Sequence, residues 1–124
     1  MIDVLNIPFD PNYFDLIICN HVLEHIQNDI DAMKELFRVL KLNGKAILQV
    51  PISKNSEKTF EDFSVTDPKE RENIFGQFDH VRIYGQDYTK RLESVGFSVE
   101  CINISKEFSK YGLAIDEDIF IVTK

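Results

Sequence analysis

Runs of apolar residues separated by polar breaks divide the first half of the chain into a strand and a helix. The segment Phe14–Cys19 is almost continuously apolar, which predicts a strand covered on both faces, as in a parallel sheet. Apolar residues then recur every three or four positions over Ile26–Leu40, the pattern of a helix packed on a sheet. We expect Asn28 or Asp29 to cap this helix and the Leu42–Gly44 turn to end it.

The same patterning predicts the remaining elements. Lys45–Val50 is a second buried strand, and Pro51 stops it because proline cannot donate a ladder hydrogen bond. Strand, helix, turn and strand make a βαβ unit with a right-handed crossover. Asp87–Val95 then predicts a helix ended by a glycine, and Phe97–Ile104 alternates as a half-exposed strand. Ile119–Thr123 is the last strand, so the order of elements indicates a layered α/β domain.

Residues 52–79 differ from the rest of the chain. Polar and charged stretches there are interleaved with aromatic residues, and we expect an insertion with short helical pieces. Four phenylalanines are predicted to pin it to the domain: Phe60, Phe63, Phe75 and Phe78. A long insertion after a strand is often a lid over a site, but it can equally be a surface excursion, and the sequence leaves both open.

Composition and charge narrow the class of protein. The 124 residues predict a single domain over 1–124, and 21 acidic against 14 basic side chains give a net charge of −7. This balance argues against non-specific binding to nucleic acid or an anionic membrane. The sequence contains neither an apolar run long enough to span a bilayer nor a signal-peptide pattern. Cys19 and Cys101 are predicted as buried thiols in a reducing cytoplasm.

The stretch from Asn20 to His25, directly after the first strand, is the richest in chemistry. Ligands of open α/β sheets bind beyond the carboxyl ends of strands, which favours a functional role here. One interpretation is an H-x-x-E-H zinc hydrolase, with His21 and His25 as ligands and Glu24 as base. Such a site needs a third ligand on another element. His80 and Glu100 are available, but no pattern selects either, so no metal site is predicted.

Several motifs resemble those of class I S-adenosylmethionine-dependent methyltransferases of the small-molecule type. They occur in that family's order and spacing: Asp3–Phe9, Phe14–Ile18, His21–Ile26, Phe37–Lys45 and, later in the chain, Gly96–Val99. The resemblance implies a partial Rossmann-like sheet, mostly parallel with its last strand antiparallel, flanked by helices. It also implies methyl transfer from S-adenosylmethionine to a small-molecule or metabolite acceptor.

The resemblance assigns the cofactor-binding residues. Asp3 matches the acidic position whose carboxylate accepts a hydrogen bond from the adenine amino group, and Val4 lies beside it. Cys19, Asn20 and His21 match the stretch that lines the cofactor at the end of the strand. These five residues are the predicted cofactor site.

An H-x-R-x-Y stretch, His80–Tyr84, supplies most of the candidates for the acceptor side. In similar methyltransferases it follows the lid and faces the acceptor pocket, so His80 is a predicted catalytic residue that handles a proton. His25, from the His21–Ile26 motif, is the second predicted catalytic residue. Arg82 and Tyr84 are the predicted acceptor-binding residues. In the alternative interpretation, Arg82 pairs with a nearby acid and His80 caps a helix.

The chain also departs from the family. The family's first strand, glycine-rich loop and ribose-binding acid precede the position of Asp3, where this sequence has only two residues. We therefore expect a truncated domain without the N-terminal βαβ half, and the isolated chain is expected to be inactive. The Phe14–Cys19 strand then becomes an apolar sheet edge, which we expect a homo-oligomer to cover. A non-catalytic remnant acting as an interaction module is the alternative function.

Overall fold

Strands and helices alternate along the first half of the chain, as the sequence predicts. The computed structural model describes residues 3–53, 55–75, 77, 79–103 and 118–124. In chain order the elements are β1 (Phe14–Ile18), a 3₁₀ helix (Leu23–His25), α1 (Asp29–Val39), β2 (Leu40–Ile47), β3 (Phe60–Glu61), α2 (Pro68–Phe75), β4 (Arg82–Ile83), α3 (Tyr88–Val95), β5 (Ser98–Asn103) and β6 (Asp118–Thr123).

Four strands form the main sheet in the order β1, β2, β6, β5. β1 and β2 are parallel and joined through α1, whereas β6 runs antiparallel to both β2 and β5. β3 and β4 form a separate antiparallel ribbon. The architecture is a partial Rossmann-like α/β fold, and the predicted antiparallel last strand is confirmed.

Within the described sheet, β1 is an edge strand and pairs only with β2. Two of its apolar side chains face solvent: Leu16 is 59% exposed and Ile18 is 63% exposed. The prediction of a strand covered on both faces is therefore wrong for the described residues, because the face of β1 that carries Leu16 and Ile18 is exposed to solvent. The predicted apolar edge is confirmed.

Helix α1 begins at the predicted position but without the predicted side-chain cap. Asn28 occupies the N-cap position, and its side chain makes no capping hydrogen bond. Its backbone carbonyl instead accepts the N–H of Ala32 at 3.1 Å. The first turn also carries Asp29 and Asp31, whose charges suit the positive end of the helix dipole.

The turn at Leu42–Gly44 lies inside β2 and does not end α1, contrary to the sequence prediction. The helix ends at Val39 and the strand follows at once. The pairing of β1 with β2 jumps from Phe14–Leu40 to Leu16–Lys45, so the intervening residues bulge out of register. Asn43 has a φ of 66° there, the left-handed conformation that asparagine tolerates.

The end of α3 agrees with the sequence. Gly96 has a φ of 121°, and a Cβ at this position would lie 3.0 Å from the Phe37 ring, so a glycine is needed on both grounds. The strand that follows corrects the prediction for the thiols. Cys101 is exposed on β5, the other edge of the described sheet, whereas Cys19 is partly buried, and neither forms a disulfide.

The phenylalanines of the segment 52–79 differ in how they pack. Phe75, at the end of α2, is buried, whereas Phe60 and Phe63 are 51% and 40% exposed. The Phe75 ring contacts Phe60 within the segment, and the Phe63 ring lies 5.7 Å from the guanidinium carbon of Arg82 outside it. A contact with the rest of the molecule is therefore observed for Phe63, the predicted role stays a prediction for Phe60 and Phe75, and Phe78 lies outside the described residues. The insertion therefore carries one helix, α2, and one strand of the small ribbon.

The core lies between the main sheet and the helices α1 and α3, which pack against each other. Its fully buried members include Leu23, Met33, Val39, Leu48, Leu92 and Val122. None of the helices within the described residues has the length and apolarity that crossing a bilayer requires.

Candidate functional site

The chain segments that leave β1 and β2 run side by side and build the candidate site. The N–H of Cys19 donates to the Ile47 carbonyl at 2.9 Å, and the N–H of His21 donates to the Gln49 carbonyl at 2.8 Å. His21 has a φ of 56°, a region that histidine enters more often than most residues. This turn directs residues 19–25 across the carboxyl ends of both strands.

Three of the predicted cofactor residues share one cavity. Val4, Cys19 and Asn20 line a space of about 440 Å³ beside the exposed face of β1. The other lining residues are apolar: Ile7, Phe14, Leu16, Ile17, Ile18, Val22, Leu36 and Val39. The structure thus brings Val4 beside Cys19 and Asn20 at the end of β1, and cofactor binding by these three residues stays a prediction.

The other two predicted cofactor residues lie outside the lining of this cavity. Asp3 is exposed, and its Oδ1 accepts the N–H of Leu5 at 2.9 Å in a local turn. His21 instead lines a second, smaller cavity of about 350 Å³ together with Glu24 and His25. Cofactor contact by these two residues stays a prediction.

A pair of charged residues on α1 holds the N-terminal segment in place. The Arg38 guanidinium donates to the carbonyls of Ile7 and Phe9, both at 2.9 Å. Glu35 binds Arg38 Nε at 2.7 Å and accepts the N–H of Ile7 at 2.8 Å. The hydrogen bond with Arg38 lowers the pKa of Glu35. Val4 thus reaches the cavity on a segment that α1 anchors.

The Cys19 thiol is poorly ionised. Burial, with a smaller contribution from the negative charge of Glu24, raises the pKa of Cys19 to about 11. The neutral thiol is therefore the form present at neutral pH, and it behaves as a small apolar group in the cavity wall.

A buried carboxylate at the centre of the site is surrounded by all three histidines of the chain. Glu24 Oε1 lies 3.7 Å from His21 Nδ1, 3.7 Å from His25 Nε2 and 3.9 Å from His80 Nε2. The side chain of Glu24 is only 3% exposed. Within the described residues, neither of its oxygens has a hydrogen-bond partner.

The two predicted catalytic histidines contact each other edge to face, with ring centroids 4.6 Å apart. His25 Nδ1 lies 3.2 Å from Asp79 Oδ2 and 3.2 Å from the Asp79 carbonyl. Burial, followed by the neighbouring His25, lowers the pKa of His80. His80 is therefore neutral at neutral pH, with a nitrogen lone pair available.

The predicted acceptor side is a cavity of about 570 Å³. Glu24, His80 and Arg82 line it from one side, and residues 73–75 and 77 of the insertion line it from the other. Residues 51–53, which follow β2, complete the wall. The structure thus brings His80 and Arg82 to one cavity, with part of the 52–79 segment across from them.

Arg82 is 1% exposed and is bound on several sides by the protein. Its Nε donates to Glu61 Oε1 at 2.9 Å. Its terminal nitrogens donate to backbone carbonyls of the segment after β1: those of Leu23, Ile26 and Gln27. The alternative interpretation, pairing with an acid, is confirmed. Contact between Arg82 and an acceptor stays a prediction.

Tyr84 belongs to a buried network that sequence reasoning missed. Its hydroxyl donates to Asp29 Oδ2 at 2.7 Å, and the carboxylate of Asp29 also binds Arg91 at 2.8 Å. Burial, followed by the charge of Asp29, raises the pKa of Tyr84. These bonds tie β4 and α3 to the start of α1. An acceptor-binding role for Tyr84 stays a prediction.

The histidine arrangement corrects the H-x-x-E-H interpretation. His21 precedes the 3₁₀ helix and has a positive φ, so it does not share a helical face with His25. The ligand atoms that lie together, all within 4.8 Å of one another, belong to Glu24, His25 and His80. His80 thus lies where the H-x-x-E-H interpretation required a third group on another element. No sequence pattern could select it, because it is distant from Glu24 and His25 in the chain.

Comparison with known proteins supports this interpretation of the fold. Residues 1–48 match the family model described as a methyltransferase domain. An uncharacterised protein of Methanocaldococcus jannaschii is 42% identical over 66 residues, which cover 51% of this chain and 28% of that protein. The chain thus spans less than a third of the length of this curated relative.

Solved structures show the same fold at low sequence identity. The 4+2 cyclase SpnF superposes with a TM-score of 0.70 at 15% identity, covering 99% of this chain and 55% of the cyclase. Phosphoethanolamine N-methyltransferase 2 of Haemonchus contortus, solved with S-adenosyl-L-methionine, gives 0.60 at 16% identity, covering 98% and 36%. A methyltransferase-like protein of Bacillus halodurans gives 0.60 at 17% identity, covering 98% and 69%. The first 48 residues thus match a methyltransferase domain model, and the described residues share the fold of these solved structures.

Proposed function

We propose that this chain takes part in S-adenosylmethionine-dependent methyl transfer to a small-molecule acceptor. The observation that carries the proposal is the cavity of about 440 Å³ in which Val4, Cys19 and Asn20 come together at the end of β1. Small-molecule sites in open α/β folds lie at this end of the strands. Their volume is commonly about 300–1,000 Å³.

The residues around this cavity fit the cofactor. The walls are largely apolar, which suits the flat face of an adenine ring, and Asp3 beside Val4 offers a carboxylate to the adenine amino group. Asn20 supplies a side-chain amide at the strand end. When bound, the cofactor supplies a methyl group on a positively charged sulfur. The part of this chain is to hold and orient it.

The acceptor is proposed to bind in the cavity of about 570 Å³, which the segment 52–79 covers in part. His80 borders that cavity, and its lowered pKa keeps it neutral. A neutral imidazole can take a proton from an attacking oxygen or nitrogen, and His25 is in ring contact with it. The net charge of −7 makes a nucleic-acid acceptor unfavourable.

Calorimetric titration with S-adenosylhomocysteine tests the cofactor site directly. We expect micromolar binding by the wild-type chain and none by Cys19→Phe, whose ring fills the cavity. Cys101→Phe is the matched control, because Cys101 is exposed on the opposite edge strand. Asp3→Asn should weaken binding without affecting the fold, since Asp3 is exposed. Wild-type protein that is folded but binds neither S-adenosylhomocysteine nor S-adenosylmethionine would refute the proposal.

A non-catalytic interaction module is the second candidate function. The exposed apolar edge of β1, with Leu16 and Ile18 facing solvent, favours it. The fold itself is also found in a protein described as a cyclase, and a fold does not define a reaction. If the chain has this second function, we expect that it does not bind the cofactor and that it associates through β1.

A further inference from the structure

One carboxylate oxygen and two imidazole nitrogens converge between the cavities of about 570 Å³ and 350 Å³, both of which Glu24 and His80 line. Glu24 Oε1 lies 3.7 Å from His25 Nε2 and 3.9 Å from His80 Nε2. The ligand atoms of these three residues all lie within 4.8 Å of one another. The Glu24 carbonyl accepts the N–H of Val81 at 3.1 Å, so the backbone fixes the two segments against each other at this point.

The Glu24 carboxylate lacks the partners that burial demands. It is 2% exposed, and within the described residues neither oxygen accepts a hydrogen bond. A buried carboxylate without hydrogen bonds is costly, and a bound cation is one means of stabilising it. The nearest polar atoms are histidine nitrogens, which are themselves metal ligands when neutral.

His25 is positioned as metal-ligating histidines usually are. Its Nδ1 lies 3.2 Å from both the carboxylate and the carbonyl of Asp79. A proton on Nδ1 donates there and leaves the lone pair on Nε2, which lies 3.7 Å from Glu24 Oε1. Ligating histidines commonly have such a carboxylate or carbonyl behind them.

We propose that Glu24, His25 and His80 form a binding site for a divalent transition-metal ion. Two imidazoles and one carboxylate favour zinc, iron, cobalt or nickel over magnesium and calcium, which prefer oxygen ligands. Bonds of about 2.1 Å place ligand atoms roughly 3.0–3.4 Å apart. Binding therefore requires the observed separations of 3.7 and 3.9 Å to close by about 0.3–0.9 Å. Any pair of ligand atoms near the 4.8 Å limit must close further.

Three protein ligands leave coordination positions for an exchangeable group. The site opens to the cavity of about 350 Å³ that His21, Gln77 and Pro51 also line, and open positions are a mark of metals that meet a substrate or water. The site does not depend on methyl transfer. A metal ion bound at the lone pairs of His25 and His80 prevents these residues from accepting a proton. The proton-accepting role proposed for His80 therefore applies to the chain without a metal ion.

Titration of the chelator-treated full chain with Co²⁺ tests the site, with visible absorption as the readout. We expect one Co²⁺ per chain, d–d bands of a nitrogen and oxygen environment, and displacement by Zn²⁺. His25→Gln and His80→Gln should each weaken binding by more than about 100-fold. Glu93→Gln, at an exposed site on α3, is the control, and it should leave the affinity nearly unchanged. Asp79→Asn should weaken binding roughly 10- to 100-fold.

Several results would overturn the site. Failure of the wild-type chain to bind Co²⁺ or Zn²⁺ at a defined stoichiometry is one. An equal loss in Glu93→Gln is another, and a thiolate charge-transfer band would assign the metal to cysteine. Far-ultraviolet circular dichroism identifies any variant that does not fold. Proton NMR of the wild-type chain is independent of variants: Co²⁺ should shift the ring protons of His25 and His80 strongly.

Discussion

Cys19 lies in a setting that suppresses its reactivity, and this gives a prediction at the scale of one residue. Its pKa of about 11, against an ordinary value of 9.0, lowers the thiolate fraction at about pH 8 by about 100-fold. We expect a Cys101→Ser variant, in which Cys19 is the remaining thiol, to react with a thiol reagent at least that much more slowly than an exposed cysteine. Because the pKa is raised, the rate should keep rising with pH towards 11.

The Cys19→Ser variant is the control for this measurement. It retains Cys101, which is exposed. Measured on the same day and in the same buffer, it should react rapidly with the thiol reagent. Rapid labelling of both variants near neutral pH would show that Cys19 is not shielded, and it would contradict the cavity wall described here.

Some of the site residues could be predicted from the sequence, and others could not. The order of the motifs was enough to place Val4, Cys19 and Asn20 near one another. The end of a strand and the motif that precedes it contribute to the same edge of the sheet. The contact between Glu24 and His80 has no such local signal. His80 lies on a turn after the insertion, and its position depends on backbone pairing with the segment after β1.

Helix α1 organises the site at the scale of elements through Glu35 and Arg38. Arg38 binds two carbonyls of the N-terminal segment, and Glu35 binds both Arg38 and the N–H of Ile7. The pKa of Glu35 is lowered in the folded state, chiefly by its bond with Arg38. The folded chain therefore binds this proton less tightly than the unfolded chain does.

This lowered pKa gives a pH-dependent prediction. The stabilisation from Glu35 is fully present above its unfolded pKa, near 4.5, and is lost as the pH falls through the lower folded value. Glu35→Gln should lower the free energy of unfolding at neutral pH and should differ less from wild type at about pH 3. Urea unfolding at a series of pH values measures both.

Glu93→Gln, an exposed site on α3, is the matched control and should follow the wild-type profile. Hydrogen exchange adds a local readout, since the amide of Ile7 should exchange faster in Glu35→Gln. A constant difference between Glu35→Gln and wild type across the pH series would show that the ion pair is not the cause.

The periodicity identified the helices and strands of the main sheet, but it placed the boundary between α1 and β2 several residues too late. The cause is the bulge in β2. Asn43 and Gly44 have the composition of a helix C-cap, yet the N–H of Asn43 and the carbonyl of Gly44 bond to Lys124 at the end of the chain. A contact with residues so distant in the sequence is invisible to local pattern, and so is the register shift that goes with it.

At the scale of the whole molecule, the buried ionic network joins the parts that form the site. Arg82 connects β4 to the segment after β1, and Asp29 connects α1 to α3 through Arg91 and to β4 through Tyr84. The insertion joins this network through Glu61, which binds both Arg82 and Arg91. Arg82, predicted as an acceptor ligand, therefore holds in shape the cavity of about 570 Å³ that it lines.

The outer edge of β1 leads to the last prediction, which concerns assembly. An edge strand with unpaired backbone groups and two exposed apolar side chains, Leu16 and Ile18, is a template for pairing. We propose that a second copy of this chain covers it, and we expect light scattering at micromolar concentration to report a dimer. Ile18→Lys should shift the chain to monomer, because a lysine on an edge strand opposes pairing.

Leu42→Lys introduces the same charge at an apolar residue that is 73% exposed but lies in the β2 bulge, so it should leave the dimer intact. A wild-type chain that is a monodisperse monomer would contradict the proposal, and equal dissociation by both variants would place the interface away from β1.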